Sequence, residues 1–240
     1  MDYRMTFDIH THTTYSHGKG SIEDNVRAAA EKGLRAVAIT DHGPGHLTYG
    51  IKKDKIPFMR RDIEACREKY PEIDITLGVE ANIVDKMNGI DIPKEEIGMY
   101  DFIIAGYHYG VTNGYCLQNY AWEHGHVPNR RLMVKNTDMC LKAIYENDLR
   151  ILTHPGDKGP FDIAELAKAC SETNTWMEIS THHKHLNIEE IRICAKENVK
   201  FVISSDAHVP QLVGSFEDGL IRAIEAGIDP DRIVNVERIR

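Results

Sequence analysis

The chain has 240 residues, of which 42% are hydrophobic and 28% charged, which is enough to build the core of one α/β domain. Its formal net charge is −8, and this acidic balance argues against binding of long nucleic acid, which needs a basic surface. No apolar run reaches the roughly 20 residues needed to span a bilayer, so we expect no membrane partner.

Short apolar segments alternate with amphipathic segments along the chain. Seven segments rich in β-branched or aromatic residues predict strands at residues 5–9, 36–40, 74–83, 102–105, 150–152, 175–179 and 201–204. Segments with helical periodicity predict helices at residues 22–32, 57–69, 135–147, 163–173, 188–197 and 214–226. This alternation predicts parallel strands joined by crossover helices in a single domain, residues 1–240.

Seven strands are enough to close, or nearly close, a barrel, and an open doubly wound sheet is the alternative that the same pattern allows. Between the strands, the Asn88-Gly89 pair predicts a hairpin within residues 86–91. Residues 109–129 form the longest stretch without a periodic pattern. A loop of this length in a compact domain is usually functional.

The five cysteines are scattered and form no C-x-x-C pair, so we expect reduced thiols: Cys66, Cys116, Cys140, Cys170 and Cys194. The first residues lack the basic and apolar segments of a secretory signal. Together these features predict a cytoplasmic protein.

Histidine is unusually frequent, at 13 of 240 residues. Six of the seven predicted strands deliver metal-binding residue types at or just beyond their carboxyl ends: His10 and His12, Asp41 and His42, Glu80, His108, His154, and Asp206 and His208. The carboxyl ends of the strands of a parallel barrel lie on one face, where the active sites of such folds are found. We therefore expect these side chains to share one site.

The spacing of two residue pairs supports the same site. His10 and His12 are two residues apart, as are Asp206 and His208, and residues i and i+2 of an extended segment point to the same side. His17 lies in the following loop, within reach of the same face. Imidazole and carboxylate ligands suit zinc, manganese or iron, and the absence of a Cys ligand argues against a closed structural zinc site. The nine candidate ligands are about right for two or three ions.

These residues resemble the PHP family, named for polymerase and histidinol phosphatase domains, and most closely its small stand-alone members of the YcdX phosphatase type. The motifs that carry the resemblance extend over nearly the whole chain: His10-Thr11-His12 with His17, Thr40-Asp41-His42-Gly43, Gly78-Val79-Glu80-Ala81-Asn82, Ala105-Gly106-Tyr107-His108, Thr153-His154-Pro155-Gly156 and Ser205-Asp206-Ala207-His208.

The resemblance implies a distorted (β/α)7 barrel, similar to a TIM barrel, with a trinuclear metal site. The implied ligands of the first ion are His10, His12, Glu80 and Asp206. Those of the second ion are His108, His154 and the bridging Glu80, and those of the third are His17, His42 and His208. The implied reaction is phosphate-ester hydrolysis by a metal-bridging hydroxide, with catalysis assigned to Glu80, Asp206 and His208.

Other residues near the predicted site are weaker candidates. Arg130 and Arg131 are candidates for gripping a substrate phosphate, against the alternative of a solvated helix start. Among the histidines after the sixth strand, His183 is a candidate for substrate contact or proton transfer. His46 is expected at the surface. Three polar residues beside the ligands are candidates for orienting imidazoles: Asp8, Asp41 and Asn82.

The sequence therefore predicts a metal-dependent phosphatase that cleaves a small-molecule phosphate monoester, using two or three divalent Zn, Mn or Fe ions. Histidinol phosphate is one candidate substrate by family analogy, although family does not determine substrate. Two alternatives stay open: a phosphodiesterase or exonuclease acting on short nucleotides, and a non-catalytic metal-binding module. Assembly into a homo-oligomer is also left open.

Overall fold

The structure, a computed structural model, describes residues 2–125 and 129–239. In chain order its strands are β1 (Tyr3–Met5), β2 (Phe7–Asp8), β3 (Ala36–Ile39), β4 (Asp74–Asn82), β5 (Phe102–Gly106), β6 (Leu149–Leu152), β7 (Trp176–Ser180), β8 (Phe201–Ser204) and β9 (Val236–Arg238). Its α-helices are α1 (Ile22–Glu31), α2 (Ile56–Lys69), α3 (Cys116–Gly125), α4 (Arg130–Glu146), α5 (Ile163–Thr173), α6 (Ile188–Cys194) and α7 (Glu217–Glu225). None of the helices in this described part is long and apolar enough to cross a membrane.

The seven strands β2 to β8 form one parallel sheet in which each strand pairs with its neighbours in chain order. Beyond the ends of β2 and β8, Thr11 and Ala207 form a parallel bridge, and the His12 amide donates to the Ala207 carbonyl at 2.9 Å. The sheet is therefore a nearly closed barrel with helices between the strands. This confirms the expected distorted (β/α)7 barrel rather than an open doubly wound sheet.

The prediction of one continuous strand at residues 5–9 was wrong in detail. It is divided into two short strands at Thr6, whose amide donates to the Asn235 carbonyl at 2.8 Å. Strand β2 enters the barrel, whereas β1 pairs antiparallel with β9 in a separate two-stranded sheet. Strand β9 is only three residues long, and a segment this short carries little periodic signal.

Two connections differ in how well they match the sequence pattern. The hairpin at residues 86–91 is confirmed, because Ile83 and Ile90 form an antiparallel bridge and the Val84 amide donates to the Gly89 carbonyl at 2.9 Å. The segment 109–129 is less irregular than expected, since it contains α3 and leads directly into α4, which begins five residues earlier than predicted. Residues 126–128 of this segment lie outside the described residues.

The barrel has two faces with different contents. Its outer face packs on the helices in the main apolar core, with Val37, Ile75 and Leu77 among the buried residues. A separate small apolar cluster, made of Ile104, Ile151 and Val202, comes from alternate strand positions. Nearer the carboxyl ends of the strands, the same inner face carries the polar side chains of Glu80, Glu178 and Ser204. This change from apolar to polar side chains marks the position of the site.

A buried asparagine closes the seam between the first and last barrel strands. Asn235 is fully buried, and its side-chain amide donates to the carbonyls of Phe7 (2.9 Å) and Ile203 (2.6 Å). Its side-chain oxygen accepts from the Ile203 amide at 3.1 Å. The side chain thus takes the place of a strand pairing that β2 is too short to make.

We expect Asn235→Ala to lower the free energy of unfolding by about 2–4 kcal/mol, because the substitution leaves buried backbone groups of both strands without partners. Urea unfolding followed by circular dichroism would measure this change. Asn198→Ala, at an exposed turn, is the matched control and should change stability by less than about 0.5 kcal/mol. Equal stability of the two variants would show that the seam does not depend on this side chain.

Candidate metal centre

The nine predicted ligands converge at the carboxyl end of the barrel. Most are buried, and only His17 and His208 are substantially accessible, at the mouth of a cavity of about 110 Å³. Their donor atoms form several groups in which the atoms lie within 4.8 Å of one another: His10, His12 and Asp206; His42, Glu80 and His108; and His12, His17, His42 and His208.

The innermost donors, from His10, His12, Glu80 and Asp206, lie close together. The Nε2 atoms of His10 and His12 are 3.1 Å apart. Glu80 Oε2 lies 3.3 Å from the first and 3.5 Å from the second, and Asp206 Oδ1 lies 3.5 Å and 3.0 Å from the same two atoms. Ligands of one ion at metal distances of roughly 2.0–2.1 Å lie about 3.3 Å apart, and each of these five separations is close to that value.

The second oxygen of Glu80 faces a different pair of imidazoles. Glu80 Oε1 lies 3.2 Å from His108 Nε2 and 2.9 Å from His154 Nε2, and it accepts a hydrogen bond from the Thr153 hydroxyl at 2.8 Å. One carboxylate therefore presents one oxygen to each of two histidine pairs. This is the arrangement expected of a ligand that bridges two ions.

The outermost group consists of closely packed imidazoles, of which His208 meets His12 face to face and His17 edge to face. The His208 ring centroid lies 4.4 Å from that of His12 and 4.2 Å from that of His17, and His17 lies 4.8 Å from His42. The His42 Nδ1 atom is also 3.1 Å from Glu80 Oε2, so this side chain faces both the outer group and the inner carboxylate.

Unpartnered buried atoms support the fit of cations to these residues. Glu80 Oε2 and Asp206 Oδ1 are fully buried and accept no well-aligned hydrogen bond in the described part of the chain, and the same is true of Nδ1 of His42. Leaving such a group unpaired costs about 1–3 kcal/mol, more when it is charged. A divalent ion removes this penalty, and nitrogen and oxygen donors of this kind suit Zn, Mn or Fe.

The protonation states of most ligands are those that metal binding requires. Burial raises the pKa of the Glu80 carboxyl, but the neighbouring His108, His10 and His42 outweigh it and hold this pKa well below its usual range. Burial, with His208 and His42, lowers the pKa of His17 to about 3. Ionised carboxylates and neutral imidazoles can bind a cation without first losing a proton.

His10 shows that the inner site has a negative potential. Burial lowers its pKa, yet the carboxylates of Glu80, Asp206 and Glu178 overcome this effect and raise the pKa well above the usual range. A position at which a proton is held so strongly also favours a metal cation.

Glu178 is a functional residue that the sequence analysis missed. Its Oε1 lies 2.6 Å from His10 Nδ1, its Oε2 accepts from the His154 amide at 2.6 Å, and it also accepts from the Ser204 hydroxyl. It therefore orients a histidine ligand through the ring nitrogen that faces away from the metal position. Glu178 lies on β7, so the one barrel strand for which no ligand was predicted also contributes to the centre. An acidic residue between Met177 and Ile179 in a predicted buried strand was the available signal.

The three predicted orienting residues have different roles. Asn82 orients a candidate ligand, because its side-chain oxygen accepts from His108 Nδ1 at 2.8 Å, and half-buried Asp91 accepts from the Asn82 amide group at 2.6 Å. Asp41 instead accepts from the amide and hydroxyl of Thr13 in the loop after the first strand. Asp8 accepts backbone amides and the Ser205 hydroxyl, so neither aspartate contacts an imidazole ring.

Two local features of the backbone bring ligands into position. Gly106, at the end of β5, leaves room for the next strand, since a Cβ there would lie 2.2 Å from the Thr153 hydroxyl oxygen and 2.7 Å from His154 Cε1. His154 and Asp206 adopt positive φ angles of 29° and 48° just after their strands. Such strain in non-glycine residues costs of order 1–3 kcal/mol and is concentrated at functional sites.

The predicted substrate-binding residues lie in different places. His183 lines the cavity, and its Nε2 is 3.1 Å from Asp206 Oδ2. Arg130 and Arg131 are exposed at the start of α4 and are not among the lining residues that the structure describes. His46 is not on the surface as expected: it is only 7% exposed, and its ring stacks on Tyr49 with centroids 3.6 Å apart.

Known proteins resemble this chain over almost its full length. A protein named "Probable phosphatase" from Thermoanaerobacter sp. (strain X514) is 31% identical over 249 aligned positions, covering 98% of this chain and 91% of that protein. A second protein with this name, from Shewanella sp. (strain MR-4), is 30% identical over 244 positions, covering 95% and 86%.

A solved structure shares the fold. The histidinol phosphate phosphatase of Lactococcus lactis subsp. lactis Il1403, complexed with zinc, L-histidinol and phosphate, has a TM-score of 0.64 at 15% identity, covering 94% of this chain and 95% of that chain. The family model for the PHP domain matches residues 8–209, a range that contains all nine predicted ligands. The chain belongs to the PHP domain family.

Proposed function

We propose that this chain is a metal-dependent phosphatase that hydrolyses small-molecule phosphate monoesters at a centre of three divalent ions. The observation that carries the proposal is the Glu80 carboxylate, which presents one oxygen to His10 and His12 and the other to His108 and His154. A sensor or a structural site has no need for a carboxylate shared between two sets of donors. The names of the relatives support the same reaction class.

Divalent ions bound at such a centre lower the pKa of a coordinated water and polarise phosphoryl oxygens. The side chains of the protein supply the positioning and the charge. Glu80 and Asp206 place negative charge at the floor of the cavity. Glu178 fixes the orientation of the His10 ring through the Nδ1 atom of that ring. His208 lies at the mouth, where an incoming phosphate first meets the imidazole group. Phosphoryl transfer depends mainly on this kind of positioning and electrostatic stabilisation.

The size of the cavity supports a small substrate. Its volume of about 110 Å³ leaves room for a phosphate group and little more inside the barrel mouth. The acidic net charge of −8 gives no general attraction for a polynucleotide. A small phosphate monoester is therefore favoured over a nucleic-acid end as the substrate.

The bridging role of Glu80 can be tested by metal analysis and kinetics. We expect Glu80→Ala to lower kcat/KM for an aryl phosphate by at least about 1,000-fold, because charge stabilisation is lost at two ions together. Elemental analysis should show a loss of about two equivalents, whereas His17→Ala should lose about one. Treatment of the wild-type protein with a chelator should abolish turnover, and reloading should restore it.

His124→Ala is the control, because this exposed side chain contacts Tyr120 of its own helix, at the carbonyl and by ring stacking, and is not among the described residues that line the cavity. It should retain its metal content and its turnover. Full activity of Glu80→Ala would overturn the bridging role. Metal-loaded wild-type protein with no turnover on any phosphate monoester would instead favour a metal-binding module.

Glu178 offers a second test, which concerns the orientation of a ligand. Glu178→Gln keeps the size of the side chain but removes the charge that faces His10 Nδ1, so we expect metal affinity to fall by about 10–100-fold. Competition with a chromophoric chelator would measure this affinity. Glu165→Gln makes the same chemical change on the exposed face of α5 and should leave the affinity unchanged. Unchanged affinity in both variants would remove Glu178 from the metal centre.

A further inference from the structure

A lysine stands among the histidines of the cavity. Eleven residues line it, of which seven are predicted metal ligands, and the other four are Tyr49, Lys158, His182 and His183. Lys158 is the one Lys or Arg side chain among these described lining residues. It lies in the loop after β6, which also carries the predicted ligand His154. The sequence analysis did not single it out, because a lysine in a polar loop is ordinarily a solvated residue.

The backbone of Lys158 is held in an unfavourable conformation. Its φ angle is 60°, in the left-handed region, and it shares this property with the cavity residues His154 (29°) and Asp206 (48°). Strain in a non-glycine residue persists only where surrounding structure imposes it, and it is concentrated at functional positions. Two of the three strained cavity residues are predicted ligands, which points to a function for the third.

Contacts from α3 and its surroundings impose this conformation. The Tyr109 hydroxyl lies 3.0 Å from the Lys158 carbonyl oxygen and 2.7 Å from Glu123 Oε2. The next residue, Gly159, is packed so closely that a Cβ there would lie 2.7 Å from Asn119 Oδ1. The loop that carries the lysine is thus fixed against α3.

A short chain of polar contacts connects the lysine to the metal centre. Lys158 Nζ lies 3.0 Å from Asp157 Oδ2, which is 3.1 Å from His183 Nδ1. On its other side, His183 Nε2 is 3.1 Å from Asp206 Oδ2. The Lys158 side chain is only 25% exposed, so its ammonium group is held at the mouth instead of extending into solvent. The contact with Asp157 is an ion pair without a well-aligned hydrogen bond among the described residues, so the donors of the ammonium group are available for a ligand.

We propose that Lys158 binds an anionic oxygen of the substrate at the mouth of the cavity. The inference deepens the proposed phosphatase function and rests on it. A lysine is a strong point-charge ligand for phosphate, and here it is partly desolvated, which strengthens its attraction for an anion. The anionic oxygen belongs either to the phosphate that is cleaved or to a carboxylate next to it, and a pair of substrates distinguishes the two.

The test compares Lys158→Met, which removes the charge, with Lys158→Gly, which also removes the backbone strain. If Lys158 holds the cleaved phosphate, isothermal titration of the metal-loaded protein with inorganic phosphate should show a loss of affinity of about tenfold or more in both variants, since a charged hydrogen bond is lost. Lys158→Gly should also melt about 2–4 °C higher than Lys158→Met, because glycine adopts this φ freely. A loss of affinity in a variant of normal stability and metal content cannot come from misfolding.

Kinetics then identify which oxygen is bound. If Lys158 holds the cleaved phosphate, Lys158→Met raises KM equally for 4-nitrophenyl phosphate and for 3-phosphoglycerate. If it holds a neighbouring carboxylate, only the KM for the second ester rises, and the affinity for inorganic phosphate stays at the wild-type value. Lys168→Met, on the exposed face of α5, is the matched control and should equal the wild type.

The two proposals fail in different ways. Wild-type protein that binds its metals but turns over no phosphate ester contradicts the phosphatase function itself. Wild-type turnover combined with unchanged phosphate affinity and unchanged KM in Lys158→Met overturns the role of Lys158 alone.

Discussion

The carboxylate of Glu80 is the group on which the rest of the site depends. It is fully buried inside the barrel, where an unpaired charge is strongly unfavourable, and it is stabilised by imidazoles from four separate loops and strand ends. Its two oxygens face two different groups of nitrogen donors. The two groups of nitrogen donors are therefore separated by about the width of one carboxylate at a single strand position, and the other candidate ligands are arranged around it.

The barrel provides a rigid support for this arrangement. An apolar cluster of Ile104, Ile151 and Val202 fills part of the interior, and polar side chains follow on the same face, as Ser204 follows Val202. Above it, ligands are fixed by groups that face away from the ions, as Glu178 fixes His10 and Asn82 fixes His108. These contacts select the ring nitrogen that is free to bind a metal, so the centre is preorganised before an ion arrives.

The mouth of the cavity differs from its floor in exposure and in charge. There the donors are partly exposed, and a chain of alternating charge leads from Asp206 through His183 and Asp157 to Lys158. The loop that carries the chain is held by α3, a helix in a segment where no regular structure was predicted. The floor of the cavity thus gathers candidate ligands for cations, while its mouth carries the ammonium group of Lys158.

The sequence by itself determined which residue types could bind metals and that they would meet. Parallel strands place their carboxyl ends on one face, so residues such as His10, Glu80 and His154 could be assigned to one site from strand order alone. Only the tertiary structure decided the roles of Glu178, Asn235 and Lys158. Their local sequence is that of an ordinary strand or loop, and their function arises from contacts with residues far away along the chain. The periodicity of a sequence indicates on which face of a strand or helix a side chain lies. Strand register, barrel closure and loop packing determine which residues that side chain contacts.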